Sequence, residues 1–230
     1  MAANRLVRLQ QALDERAAQH LLRTPVTLQR YSGRLLVVAG QSYLNFSGND
    51  YLGLATAPEV LQAVAEGAHQ FGAGSTGSPL VTGQHQVHQR LCDTLCDWLG
   101  FEQVMLFSSG FAANQTMLQT LSQKTDTLLL DKLSHASLID GAFHSDAALK
   151  RFAHNDLDAL EPLLRQTSQA LVVTEGVFSM DGDSPDLAAM LALCQQYQAP
   201  LLLDDAHGLG VLGPEGKGTA AAQGIKQADI

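Results

Sequence analysis

The stretch "ALVVTEGVFSMDGDSPDLAAMLALCQQYQAPLLLDDAHG", Ala170 to Gly208, decides the fold. Its first apolar run, "ALVVTEG", and its last, "PLLLDD", are short and unbroken, as strands buried on both faces are. Between them Leu187 to Tyr197 reads as a helix. Strand, helix and strand in that order make a parallel crossover unit. The second strand ends on Asp204 and Asp205, with His207 just beyond, so carboxylates and an imidazole cap a buried strand.

Working outward, the alternation continues. Toward the N-terminus, helix "DLDALEPLLRQ" (156–166), strand "LKRF" (149–152), helix "HASLIDGAF" (135–143) and strand "TLLL" (127–130) follow one another. A helix starts near Phe111, and "VMLF" (104–107) is expected as a further strand. His85 to Leu99 is helical, a helix follows Pro58, and "RLLVVAGQSYLNF" (34–46) reads as two short strands about a turn at Gly40. Arg5 to Leu22 sets Leu6, Leu9, Leu13 and Ala17 at helical spacing. The class is α/β, a mainly parallel central sheet flanked by helices. Residues 1–45 are expected as an N-terminal helix with short strands, and 46–230 as a large ligand-binding domain.

Bulk properties narrow the function. A net charge of −9 leaves no basic stripe for nucleic acid. No run approaches the roughly 18 apolar residues of a membrane span, and "MAANRLVRLQQALDER" is amphipathic where a signal peptide would be apolar. The three cysteines do not suggest a disulfide framework, so a cytoplasmic protein is expected.

Some motifs fail on context. "GAGSTG" (72–77) matches a dinucleotide fingerprint by letter but follows a helix and opens none. "GPEGKGT" lacks the first glycine of a phosphate-binding loop, and no Ser or Thr directly follows Lys217. His88, Cys92 and Cys96 share a helical face without a fourth ligand nearby in sequence, so the cysteines are read as small apolar residues and no metal is expected.

In parallel sheets, ligands bind beyond the carboxyl ends of the strands. Four polar clusters lie there: Ser108–Phe111, with glycine at a strand-to-helix turn and free amides after it; Asp131–His135; Glu175–Ser179; and Asp204–His207. A buried aspartate needs a cationic partner, and a protonated pyridine supplies one. A flat ring bearing a phosphate, an ionisable nitrogen and a phenolic oxygen satisfies all four clusters, and pyridoxal 5′-phosphate is such a ligand.

"NDYLGL" (49–54), "GAGSTGS" (72–78), "SGFAAN" (109–114), "SHASLIDGA" (134–142), "RFAHND" (151–156), "TEGVFSMDGD" (174–183) and "DDAHGLGVLG" (204–213) occur in that order. With them the chain resembles, throughout its length, the α-oxoamine synthase family of fold-type-I pyridoxal-phosphate enzymes. The resemblance implies that Asp204 pairs with the pyridinium nitrogen and that His135 stacks on the ring and positions substrate. It implies that His207 and Ser179 reach the phenolic oxygen, that the amides of Gly110 and Phe111 hold phosphate, and that Glu175 supports the Asp204 side. Asn49 is placed near cofactor or acyl substrate, and Arg23 against substrate. "RFAHND" and "TEGVFSMDGDSPDL" lean toward the branch that condenses L-alanine with pimeloyl-CoA or a pimeloyl carrier protein, opening biotin ring assembly. Other branches use glycine with succinyl- or acetyl-CoA, or make sphingoid precursors. A homodimer with shared active sites is implied as well. The family's Schiff-base lysine lies on a strand after "DDAHG", and neither Lys217 nor Lys226 occupies such a place. The chain is therefore expected to be part of a longer enzyme with a small C-terminal domain absent here, either retained from that enzyme or serving as a non-catalytic binding module.

Overall fold

A computed structural model describes residues 2–226 and residue 230, apart from the side chains of residues 2, 3 and 30–32. In the closing segment "GIKQADI", residues 227–229 lie outside the described residues. The chain divides into two compact units, residues up to 65 and residues from 66 on. The division expected at residue 45 falls inside the first of them.

The first unit opens with α1 (Ala2–Ala18), four residues shorter at its C-terminal end than the spacing predicts. Three strands follow, β1 (Arg30–Ser32), β2 (Leu35–Val38) and β3 (Gln41–Leu44), in an antiparallel sheet of order β1-β2-β3. The expected hairpin is β2–β3. Ala39 (φ 48°) and Gly40 (φ 80°) both take left-handed backbone, the form a two-residue turn needs to match strand twist. Gln29 Oε1 accepts from the Gly40 amide at 2.7 Å and braces that turn. The strand β1 was not anticipated: its three residues carry no periodic pattern of their own and pair with β2 by register alone. Helix α2 (Pro58–Phe71) begins on a proline whose missing amide hydrogen costs nothing in a first turn.

The second unit holds the parallel sheet, of order β5-β4-β6-β7: β4 (Thr127–Asp131), β5 (Ala148–Phe152), β6 (Ala170–Glu175) and β7 (Leu201–Asp204). Helices α3 (Gln86–Leu99) and α4 (Gly110–Leu121) precede it. The crossovers are α5 (Ala136–His144), α6 (Leu157–Arg165) and α7 (Leu187–Gln196), and α8 (Thr219–Ala222) comes last.

The apolar strands look unbroken because each feeds two cores. Along β4, Leu128 and Leu130 join Leu118 of α4 and Leu138 and Ala142 of α5. Leu129, pointing the other way, joins Leu160 and Leu164 of α6 and Met190 and Cys194 of α7. On β6 the same split separates Leu171 and Val173 from Val172. Helices α4 and α5 pack closely at Gly141, where a Cβ would meet the Gln115 backbone.

One expected strand is absent. Residues 104–107, "VMLF", adopt no ladder, and Met105 is 75% exposed. A strand exists only through its neighbour, and among the described residues none lies beside this segment.

Candidate functional site

The polar residues converge at the carboxyl ends of β4, β6 and β7. Asp204 closes β7 directly across the ladder from Glu175, which closes β6. Helix α4 starts at Gly110, where the Ser109 Oγ accepts from the Ala112 amide at 3.1 Å. The amides of Gly110 and Phe111, first in the helix, have no carbonyl partner within it, the feature by which helix N-termini can bind anions. One turn further, Asn114 reaches β7: its Nδ2 donates to Asp204 Oδ2 at 2.7 Å. The other Asp204 oxygen accepts from the Ala206 amide at 3.0 Å.

His135 caps α5. Its Nδ1 accepts from the Ser137 amide at 3.2 Å and lies 2.7 Å from Ser137 Oγ, which also accepts from Asn114 Nδ2 at 2.9 Å. The His135 backbone amide donates to Glu175 Oε1. Asp204, Asn114, Ser137, His135 and Glu175 thus form one connected chain of hydrogen bonds across two helices and two strand ends. Glu175 is 4% exposed. Burial, then the nearby charges of Asp204 and Asp131, push its carboxyl up to about 7, against the lowering effect of the His135 amide.

Asp205 turns away from this chain. Its Oδ1 accepts from Thr219 Oγ1 at 2.6 Å and its Oδ2 from the Thr219 amide at 2.8 Å. Gly176, Gly208 and Gly218 surround it so tightly that a Cβ on any of them would strike its carboxylate. Burial raises its pKa, partly offset by the two Thr219 hydrogen bonds and reinforced by Asp204. This aspartate is a structural pin between the β7 exit and α8.

A second polar knot joins the β4 end to the loops beyond β5 and β6. His154 Nδ1 meets the buried Asp131 and its Nε2 meets Asp183, both at 2.9 Å. Asn155 adds an amide to Asp131 Oδ2 and a side-chain donor to Asp183 Oδ2, each at 2.9 Å. The Phe178 ring lies edge-on to His154, centroids 4.4 Å apart. His154, Asp181 and Asp183 offer donor atoms within 4.8 Å of one another, but both His154 nitrogens are already engaged by carboxylates.

His207 is half-buried just past β7, and Ser179 is exposed in the loop after β6. Arg23 and Asn49 are exposed residues of the first unit, where Asn49 Oδ1 lies 3.5 Å from the Tyr51 hydroxyl. His88 Nδ1 accepts from the His85 amide at 3.0 Å in a helix cap, and Cys92 and Cys96 are half-buried free thiols. Sequence reasoning missed Asn114 and Ser137 as site residues. The available signal was a polar side chain in the first turns of each helix: Asn114 lies four residues before the buried Leu118 of α4, and Ser137 lies two residues after His135 at the start of α5.

The family model for aminotransferase class I and II matches residues 41–228. Among curated proteins, the 8-amino-7-oxononanoate synthases of Vibrio cholerae and Vibrio atlanticus are each 52% identical over 218 residues, 95% of this chain. The match covers 56% of the first and 54% of the second, so the chain spans just over half the length of these relatives. Among solved structures, a serine palmitoyltransferase from S. paucimobilis with a bound PLP–myriocin aldimine superposes with TM-score 0.89 at 30% identity, covering 99% of this chain and 58% of that one. The 8-amino-7-oxononanoate synthase of Francisella tularensis superposes with TM-score 0.69 at 31% identity, covering 80% and 51%. No helix among the described residues is long and apolar enough to cross a membrane. The parallel sheet, the carboxylate at the end of β7 and the family match over most of its length agree: this chain belongs to the aminotransferase class I and II family.

Proposed function

We propose that the chain binds pyridoxal 5′-phosphate and that the protein condenses L-alanine with a pimeloyl thioester. The products are 8-amino-7-oxononanoate, carbon dioxide and the free thiol. The observation that carries this reading is the meeting of a helix N-terminus, a carboxylate and an imidazole at one end of the sheet, tied together through Asn114. The donor set fits the cofactor: the Gly110 and Phe111 amides suit its phosphate, Asp204 its ring nitrogen, and His135 its ring face. Ser179 and His207 are assigned to the phenolic oxygen, and Arg23 and Asn49 to the substrates. When bound, the protonated ring supplies an electron sink for charge at the amino-acid carbon.

The protein's own residues prepare that chemistry. The Asp204 carboxylate, fixed by two donors, opposes a cationic ring nitrogen and keeps its proton in place. Glu175, held near neutrality beside it, avoids a second full charge at the same strand ends. A homodimer is part of the reading. The relatives named 8-amino-7-oxononanoate synthase, 52% identical over 95% of the chain, favour the alanine and pimeloyl pair over glycine with succinyl- or acetyl-CoA.

Turnover of the purified whole protein with both pairs tests the assignment. Alanine with pimeloyl-CoA is expected to react with the higher kcat/KM. Faster reaction with glycine moves the protein to another branch, and failure to bind the cofactor in an absorbance titration removes the reading.

A further inference from the structure

Asn114 has an amide group with two hydrogens, and the structure commits both. One goes to Asp204 Oδ2 at the end of β7, the other to Ser137 Oγ in the first turn of α5. The assignment of nitrogen and oxygen follows from chemistry: an amide carbonyl facing the Asp204 carboxylate would set two acceptors against each other. Because Ser137 Oγ accepts from Asn114, its own hydrogen is directed to His135 Nδ1, 2.7 Å away. The ring nitrogen also accepts from the Ser137 amide, so the neutral imidazole carries its proton on Nε2. One side chain therefore holds the carboxylate expected at the ring nitrogen and the imidazole expected at the ring face, in fixed relation.

We infer that Asn114 is a positioning residue for the cofactor site, orienting Asp204 directly and His135 through Ser137, an inference that rests on the proposed binding of pyridoxal 5′-phosphate. Without Asn114, Asp204 keeps only the Ala206 amide on its other oxygen and can turn about its side-chain bonds. A carboxylate free to turn recognises a ring nitrogen less well, while phosphate and ring-face contacts lose less. The signature is a loss of selectivity for the nitrogen, distinct from a general loss of affinity.

The test compares equilibrium binding of pyridoxal 5′-phosphate with that of its 1-deaza analogue, whose ring nitrogen is replaced by C–H, to the purified protein and its variants. Wild type is expected to prefer the natural ligand by about tenfold or more, the scale of one charge-assisted hydrogen bond. Asp204→Asn brings the two affinities close to parity. Asn114→Ala, a good helix former at this position, and Asn114→Leu, of similar size but without donors, are each expected to reduce the preference to about threefold or less. Ser137→Ala cuts only the His135 arm, so it weakens both ligands alike and keeps the preference. Circular dichroism confirms that each variant is folded, and with two Asn114 variants the loss of one leaves the other. If Asp204→Asn abolishes the preference while both Asn114 variants retain it in full, Asn114 does not position Asp204 and the inference falls. If wild type binds both ligands equally, the ring-nitrogen reading falls first and the inference with it.

Discussion

Glu175 ends β6 in surroundings that disfavour its charge. The carboxyl is buried, with Asp204 across the ladder and Asp131 at the neighbouring strand end, and it titrates at about 7 against an ordinary value of 4.5. Below pH 4.5 both the folded and the unfolded chain hold the proton, and the stabilising contribution is complete. Between 4.5 and 7 the unfolded chain releases its proton and the folded one retains it, so stability drains away as pH rises. Glu175→Gln keeps an oxygen for the His135 amide and removes the charge. It is expected to leave urea stability unchanged near pH 4.5 and to raise it by about 1–3 kcal/mol at pH 8. An equal effect at both pH values would show that the carboxyl is not held protonated. The position of Glu175 at a strand end is legible in "ALVVTEG"; its protonation is not, because it depends on two acids brought in by other strands. Asp204 and Asp205 illustrate the same limit. Adjacent letters with identical chemistry diverge because alternate side chains of an extended segment face opposite ways, one toward Asn114 and the other toward Thr219.

At the scale of elements, His154 does for the loops what Glu175 does at a single point. It lies between Asp131 at the end of β4 and Asp183 in the connection from β6 to α7. Burial lowers its pKa, but hydrogen bonds and charges from both carboxylates together outweigh this, and the net shift is upward from 6.5. A raised imidazole gives stability that is complete below 6.5 and lost as pH climbs through the folded value. His154→Leu is expected to cost about 1–3 kcal/mol in urea unfolding at pH 6 and clearly less at pH 9. A cost independent of pH would assign His154 to packing against Phe178 alone. "RFAHND" was legible as a family motif, yet its knot was not, since Asp183 is 29 residues from His154. The helices and the strands β4 to β7 were readable because period and length are local properties of the chain. The segment 104–107 has strand-forming residues and no ladder, which local pattern cannot reveal.

Over the whole molecule, burial is lopsided. Among the described residues, none before Gly83 is buried, whereas both apolar cores belong to the sheet and the helices α4 to α7 packed on it. Hydrogen exchange is expected to mirror this, with slow amides confined to β4, β6, β7 and the helices against them, and amides of residues 4–65 exchanging orders of magnitude faster. Comparable protection of β2 and β3 in the protein would mean that the first unit gains burial elsewhere. Fold class was legible at this scale, because three crossovers in succession admit few topologies.

The strand order β5-β4-β6-β7 also sets a timetable for synthesis. The ladders join residues 21 apart (Thr127 and Ala148), 43 apart (Thr127 and Ala170) and 29 apart (Val172 and Leu201). Each closes over a loop short enough for its entropy to differ little from the next, so the sheet can assemble strand by strand as the ribosome delivers it. His135, Ser137, Asn114 and Glu175 can all be in place before residue 204 leaves the exit tunnel. Among these hydrogen-bonded residues Asp204 is delivered last, so the network that ties α4 to α5 is ready to receive its carboxylate when β7 pairs with β6.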